Sequence, residues 1–248
     1  MASEAAPAPQ AQTPVSTIGR LAGVLFSPKA TFEDIARKPS WLAPLIALVL
    51  ISFAITYFFG ARVGWRGFMQ KQDANSSRFQ QLPPDQQARL LDQQTKIAPI
   101  IGYVGVGVGT FVVPLVIAGI FLGIFNVTTG AQFDFKSSLG VVTHSWMPYF
   151  VSGVLGLVVL FLKSPDTIDL QHLVASNPGA LLSDDAPKWL DTLLTSLDLF
   201  TIWSMVLMAL GFSTLRPKKL KMGRALALIV VVWLAYVCVR TGISAAFS

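Results

Sequence analysis

Apolar residues crowd into five runs along this chain, at about 41–61, 98–125, 139–162, 193–215 and 222–246, and between them Lys, Arg, Asp, Gln and Pro return. A helix of about 20 residues rises ~30 Å, the thickness of a bilayer's hydrocarbon core, so every run is long enough to cross one. The second and third runs exceed what a perpendicular helix needs, which implies tilt or extension into the interface. Unpaired backbone groups are costly in lipid, and each run is therefore expected as a helix. The pattern predicts an all-α, polytopic membrane protein whose residues 41–246 form a five-helix bundle.

Ahead of the first run the pattern changes twice. Residues 1–14, "MASEAAPAPQAQTP", have no bulky apolar group to offset ordering entropy and read as a disordered tail. Residues 15–40 read as two short amphipathic, cytoplasmic helices at the membrane interface. In the first, Ile18, Leu21, Ala22 and Leu25 follow helical spacing while Arg20 falls on another face. Ser27-Pro28 signals a second start, since Ser caps free amides and Pro tolerates the first helical position. That second helix is expected to run to Arg37, with Phe32, Ile35 and Ala36 on one face lying in the headgroup boundary. Arg37 and Lys38 then meet anionic lipid, Pro39 ends the helix and Trp41 marks the interface. Ser27, Pro28, Phe32, Ile35 and Trp41 thus outline a membrane-entry elbow.

The connections carry the charge. "RPKKLKMGR" at 216–224 concentrates Arg216, Lys218, Lys219, Lys221 and Arg224, and short basic loops stay cytoplasmic. This predicts a cytoplasmic N-terminus and an outside C-terminus. The 62–97 connection also holds six Lys or Arg, which argues the other way, but they are spread among acids and amides over a longer segment. Within it, Pro83-Pro84 should start a surface helix that Pro99 follows. The 163–192 connection is acidic, with Asp166, Asp169, Asp184, Asp185 and Asp191 against Lys163 and Lys188.

Composition agrees with the pattern: 53% of residues are hydrophobic, 13% are charged, and mean hydropathy is +0.59, against roughly 25% charged in a soluble domain. The formal charge of +6 does not point to nucleic acid, because the basic residues flank apolar runs and no nucleic-acid motif is present. The lipid bilayer is the expected anionic neighbour. Some 40 residues precede the first run without a short basic n-region, so a cleaved signal peptide is not expected. Cys238 is the single cysteine and excludes an internal disulfide. Asn75-Ser76-Ser77 and Asn126-Val127-Thr128 match the glycosylation sequon, but their loops face opposite sides and both cannot be modified.

Polar and small residues inside the runs are the candidates for function. Gly102, Gly105 and Gly109 lie close to one helical face and would let a neighbouring helix approach. Asp198 sits within the first two turns of the fourth run, where it either anchors the helix end or contacts a proton, ion or partner. His144 precedes Pro148 by four residues; the proline deprives the His144 carbonyl of its helical donor and predicts a kink. That imidazole is either a helix-interface hydrogen bonder or a proton relay. Arg240, two turns from the C-terminus, is expected to snorkel outward. No HExxH, no GxSxG and no clustered metal ligands occur, so no enzyme, cofactor or metal is expected.

The ordered combination of "IGRLAGVLFSPKATFEDIARKPSWLAPL", "TTGAQFDFKSSLGVVTHSWMPYF" and "LDLFTIWSMVLMALGFSTL" resembles bacterial members of the YIP (Ypt-interacting protein) domain family over residues 18–246. The most specific parts are the entry from Ser27-Pro28 to Pro39, the Gly130–Lys136 turn, and Asp198, Phe200, Trp203 and Gly211. The resemblance implies a non-enzymatic, five-span protein of the cell (inner) membrane that organises lipids or membrane-protein partners, or assembles as a homo-oligomer. Asp198, His144, Trp203 and Arg240 are then the candidate intramembrane contacts. Eukaryotic members bind Rab-type GTPases; their "DLYGP" signature has no clear counterpart here. The other reading is a small ion, proton or solute transporter or channel using Asp198 and His144.

Overall fold

The computed structural model describes residues 16–74, 76–168, 172–183 and 186–246. The tail at 1–14, Asn75 of the first sequon, and Asp169, Asp184 and Asp185 lie outside them. The described residues form helices α1 (Thr17–Phe26), α2 (Pro28–Arg37), α3 (Leu42–Arg62), α4 (Trp65–Ala74), α5 (Ser77–Gln80), α6 (Pro84–Thr129), α7 (Phe135–Ser145), α8 (Met147–Leu162), α9 (Lys188–Ser196), α10 (Leu199–Leu215) and α11 (Met222–Ala246). The protein is an all-α, polytopic membrane protein. Four helical segments, α3, α6, the α7–α8 pair and α11, are long and apolar enough to cross a membrane, and α9–α10 makes a fifth if its 42° bend lies within one span.

Hydropathy marks where a chain meets lipid, and the helices do not always stop there. The second span is part of α6, 46 residues long, which begins at Pro84 and carries Pro99 and Pro114 inside it. Pro99 therefore follows no helix end. The third span breaks at Trp146, one helix ending at Ser145 and the next starting with Pro148 in its first turn. This is the bend that Pro148 foretold, two residues earlier. The fourth run is broken at Leu197–Asp198, where Asp198 caps the helix that follows.

The core lies at one end of the bundle, the end that holds α1, α2, the start of α3, the close of α6, the start of α7 and the α10–α11 connection. Phe121, Phe125, Phe133 and Phe212 form an aromatic cluster there, with Phe125 and Phe212 rings 4.7 Å apart. Glycine permits the tightest approach: a Cβ on Gly211 would stand 2.6 Å from Val141 Cγ1 and 2.9 Å from Phe32 Cε1. Helix α2 thus packs directly onto α10 and α7. At the opposite end α4 lies along the polar first third of α6, and a second, smaller apolar cluster gathers Phe59, Leu160 and Ile168.

Two expectations are corrected. Phe32 and Ile35 do not face the headgroups: both are fully buried, seated in the protein core. An apolar face four residues long is satisfied equally by lipid or by protein, and Gly211 and Gly140 make room for it in the bundle. Gly105 and Gly109 do not mediate helix packing within the chain either. Among the described residues no atom of another element comes within 4 Å of a Cβ built at either site, whereas a Cβ on Gly102 would stand 2.7 Å from the Trp65 indole. The face that these residues share turns away from α3, which meets α6 at Gly107 through Phe53.

Candidate functional site

The α1–α2 hairpin is where chemistry and exposure coincide. Helix α1 starts with Ser16, whose hydroxyl accepts the Gly19 amide at 3.0 Å, and ends where the Ser27 amide donates to the Gly23 carbonyl at 2.7 Å. Ser27 occupies the N-cap of α2 with Pro28 at the first position, as the sequence predicts, yet its side chain makes no capping bond. The Thr31 hydroxyl donates instead to the Ser27 carbonyl at 3.0 Å. The two helices are then locked by an interaction that periodicity did not reveal. Arg20 Nε donates to Asp34 Oδ2 at 2.7 Å, with side chains 7% and 9% exposed.

Arg20 also ties the hairpin to the membrane domain. Its Nη1 donates to the Lys38 carbonyl at 3.0 Å and to the Ser40 hydroxyl at 2.7 Å, immediately before α3. The Ser40 carbonyl in turn lies 2.9 Å from where a Gly140 Cβ would be, so the entry to α3 presses on α7. Buried ion pairs hold together when remaining hydrogen-bond capacity is met, and here three acceptors surround one guanidinium. Trp41 is half-buried against the core at the start of α3. With its inner face latched, α1 leaves Ile18 79% and Phe26 84% exposed, and Ala22 between them is exposed too. Spaced by four, these residues form one stripe.

The Gly130–Lys136 turn beside this hairpin is equally determined. Gly130 closes α6 with φ of 61° and Gln132 follows with φ of 53°, a left-handed pair that the Asn126 side chain clasps by accepting the Phe133 amide at 2.7 Å and donating to its carbonyl at 3.1 Å. Arg216 donates to the Ala131 and Gln132 carbonyls at 3.2 and 3.3 Å. Asp134 caps α7 by accepting the Ser137 amide at 2.9 Å. Partial burial pushes its carboxyl up, but hydrogen bonds from Ser137 and the Arg216 charge outweigh that and hold it below the usual aspartate range.

The intramembrane candidates are dispersed. His144 is buried, and its Nδ1 donates to the Gly140 carbonyl of its own helix at 2.8 Å. Asp198 caps α10 by accepting the Thr201 amide at 2.9 Å and receives the Ser176 hydroxyl. Among the described residues no hydrogen bond or ion pair joins His144 to Asp198. Trp203 is half-buried against the core, and Arg240 is exposed with Nη1 3.4 Å from the Ser196 hydroxyl. Among the described residues no group of three or more His, Cys, Asp or Glu converges.

Comparison with known proteins identifies a family. The family model described as the Yip1 domain covers residues 22–240, from within α1 to the last turns of α11. No curated protein and no solved structure matches the chain.

Proposed function

We propose a non-catalytic, membrane-organising role for this chain, which belongs to the Yip1 domain family: its N-terminal hairpin is the working surface, held against the bundle by α2 and presenting α1 to the lipid boundary and to membrane-protein partners. The observation that carries this reading is the division of α1 into a latched face, Arg20 and Val24, and an exposed apolar stripe, Ile18, Ala22 and Phe26. An exposed apolar stripe beside a basic surface suits the headgroup–acyl boundary of an anionic leaflet. Segments 17–41, 126–136 and 216–224, which meet at this end, hold ten Lys or Arg against three acids, while 62–97 and 163–198 hold eight against nine. That asymmetry supports a cytoplasmic hairpin and C-terminus outside, in the cell membrane.

The test places a fluorophore at Ala22→Cys in a Cys238→Ser background, reconstituted in anionic liposomes with nitroxide-labelled lipids. Strong quenching by a shallow nitroxide, abolished by Ile18→Asp with Phe26→Asp, is expected. Equal emission with and without nitroxide lipid would sink the proposal.

A further inference from the structure

At the end of the bundle opposite the hairpin, a side-chain cluster unrelated to the lipid-facing reading gathers around α9. His172 Nε2 lies 3.2 Å from Asp191 Oδ1 and 3.4 Å from Thr195 Oγ1, and Thr195 Oγ1 lies 3.2 Å from Asp191 Oδ1. The three donor atoms form a nearly equilateral triangle. Bonds of about 2.1 Å from a cation place adjacent donors ~3.0 Å apart in an octahedron and ~3.4 Å apart in a tetrahedron, and all three edges fall within that interval. A fourth oxygen lies on the Gly179 side of this cluster. Were Gly179 to carry a Cβ, that atom would stand 2.7 Å from Thr195 Oγ1, 3.0 Å from Asn177 Oδ1 and 3.1 Å from Asp191 Oδ1.

Thr195 Oγ1 donates to Asp191 Oδ1, yet the hydrogen bonds leave one buried oxygen of this cluster unmet among the described residues. One ring N–H at His172 Nε2 cannot point at both Asp191 and Thr195, and its two distances lie at the long end of the hydrogen-bond range. Asn177 Oδ1 is buried and receives no donor among the described residues. A positive charge beside the Asp191 carboxylate would also meet the Asn177 oxygen. The geometry points to a divalent transition-metal site formed by His172 Nε2, Asp191 Oδ1 and Thr195 Oγ1, with Asn177 Oδ1 as an additional oxygen and Gly179 keeping the space open. An imidazole nitrogen beside oxygens favours Zn²⁺ or its neighbours over Ca²⁺ and Mg²⁺. His172 and Asp191 side chains are 17% and 29% exposed, so an ion can reach them.

The experiment titrates detergent-purified full-length protein with ZnCl2 by calorimetry. One Zn²⁺ per chain is expected, weakened at least tenfold by His172→Ala or Asp191→Asn, and also by Gly179→Ala, which removes no donor but fills the space. A second measurement needs no variant. His144 is buried, so diethyl pyrocarbonate reports on His172; stoichiometric Zn²⁺ should slow that modification at least fivefold, read by peptide mass. Absent protection, Zn²⁺ uptake equal in the native protein and the variants, or tighter binding of Ca²⁺ than of Zn²⁺, would each overturn the assignment.

Discussion

Asp34→Ala is the sharpest perturbation of the hairpin. It leaves the Arg20 guanidinium in a site where its side chain is only 7% exposed, facing the Lys38 carbonyl and the Ser40 hydroxyl but no counter-charge. Removing one partner of a buried pair costs about 3–5 kcal/mol. Two neutral acceptors remain, which sets the expectation at the lower end, ~3 kcal/mol. At ~1.4 kcal/mol per factor of ten, the undocked hairpin becomes about a hundredfold more populated. Hydrogen exchange on the full-length protein in nanodiscs measures this directly: amides of α1 and α2 should lose about two orders of magnitude of protection while those of α3 and α8 keep theirs. Replacing both partners, Arg20→Met with Asp34→Leu, should restore most of it, because an apolar pair leaves no charge stranded. Exchange in residues 17–37 within threefold of the native protein after Asp34→Ala would refute the latch.

Other consequences follow from the same packing. Gly211→Leu forces atoms into Val141 and Phe32 and should cost about 1–3 kcal/mol, lowering the thermal transition in detergent; Phe32→Ala opens a cavity instead, at about 3–5 kcal/mol. Asp198→Ala should cost about 1 kcal/mol of α10 capping while Asp198→Asn costs less; if Asn were as harmful as Ala, the carboxylate's charge would matter beyond the cap. Asp134, with its carboxyl held below the ordinary value of 3.8, contributes stability that is full above that unfolded value and is lost as pH falls through the lower folded one. An acid titration of Asp134→Asn against the native protein should show the two converging only below pH ~4.

The sequence displays the parts of this protein that depend on local composition. Apolar runs locate the crossings, Ser27-Pro28 locates the α1–α2 boundary to the residue, and Pro148 foretells the break at Trp146. It hides whatever depends on which surface answers a given face. Phe32 and Ile35 have the spacing of lipid-facing residues, and only the placement of Gly211 and Gly140 on distant helices decides that they turn inward. The Arg20–Asp34 pair spans 14 residues and two helices, a separation that no helical period reports. Asp198 carried its own signal as an Asp at the head of an apolar run, the residue type that N-caps favour. His172 and Asp191 are brought together by a loop whose course has no periodicity to read.

The length of α6 has a mechanical consequence. Forty-six residues in one helix extend ~69 Å, more than twice the hydrocarbon core, with the α4 contact near one end and the Asn126 clasp near the other. Pro99 and Pro114 each remove a backbone hydrogen bond along it, so its bending is concentrated at those two points. A tilt of about 10° about its midpoint would carry each end ~6 Å in opposite directions, so the α4 contact and the 130–136 turn, on opposite sides of the bilayer, share one continuous backbone.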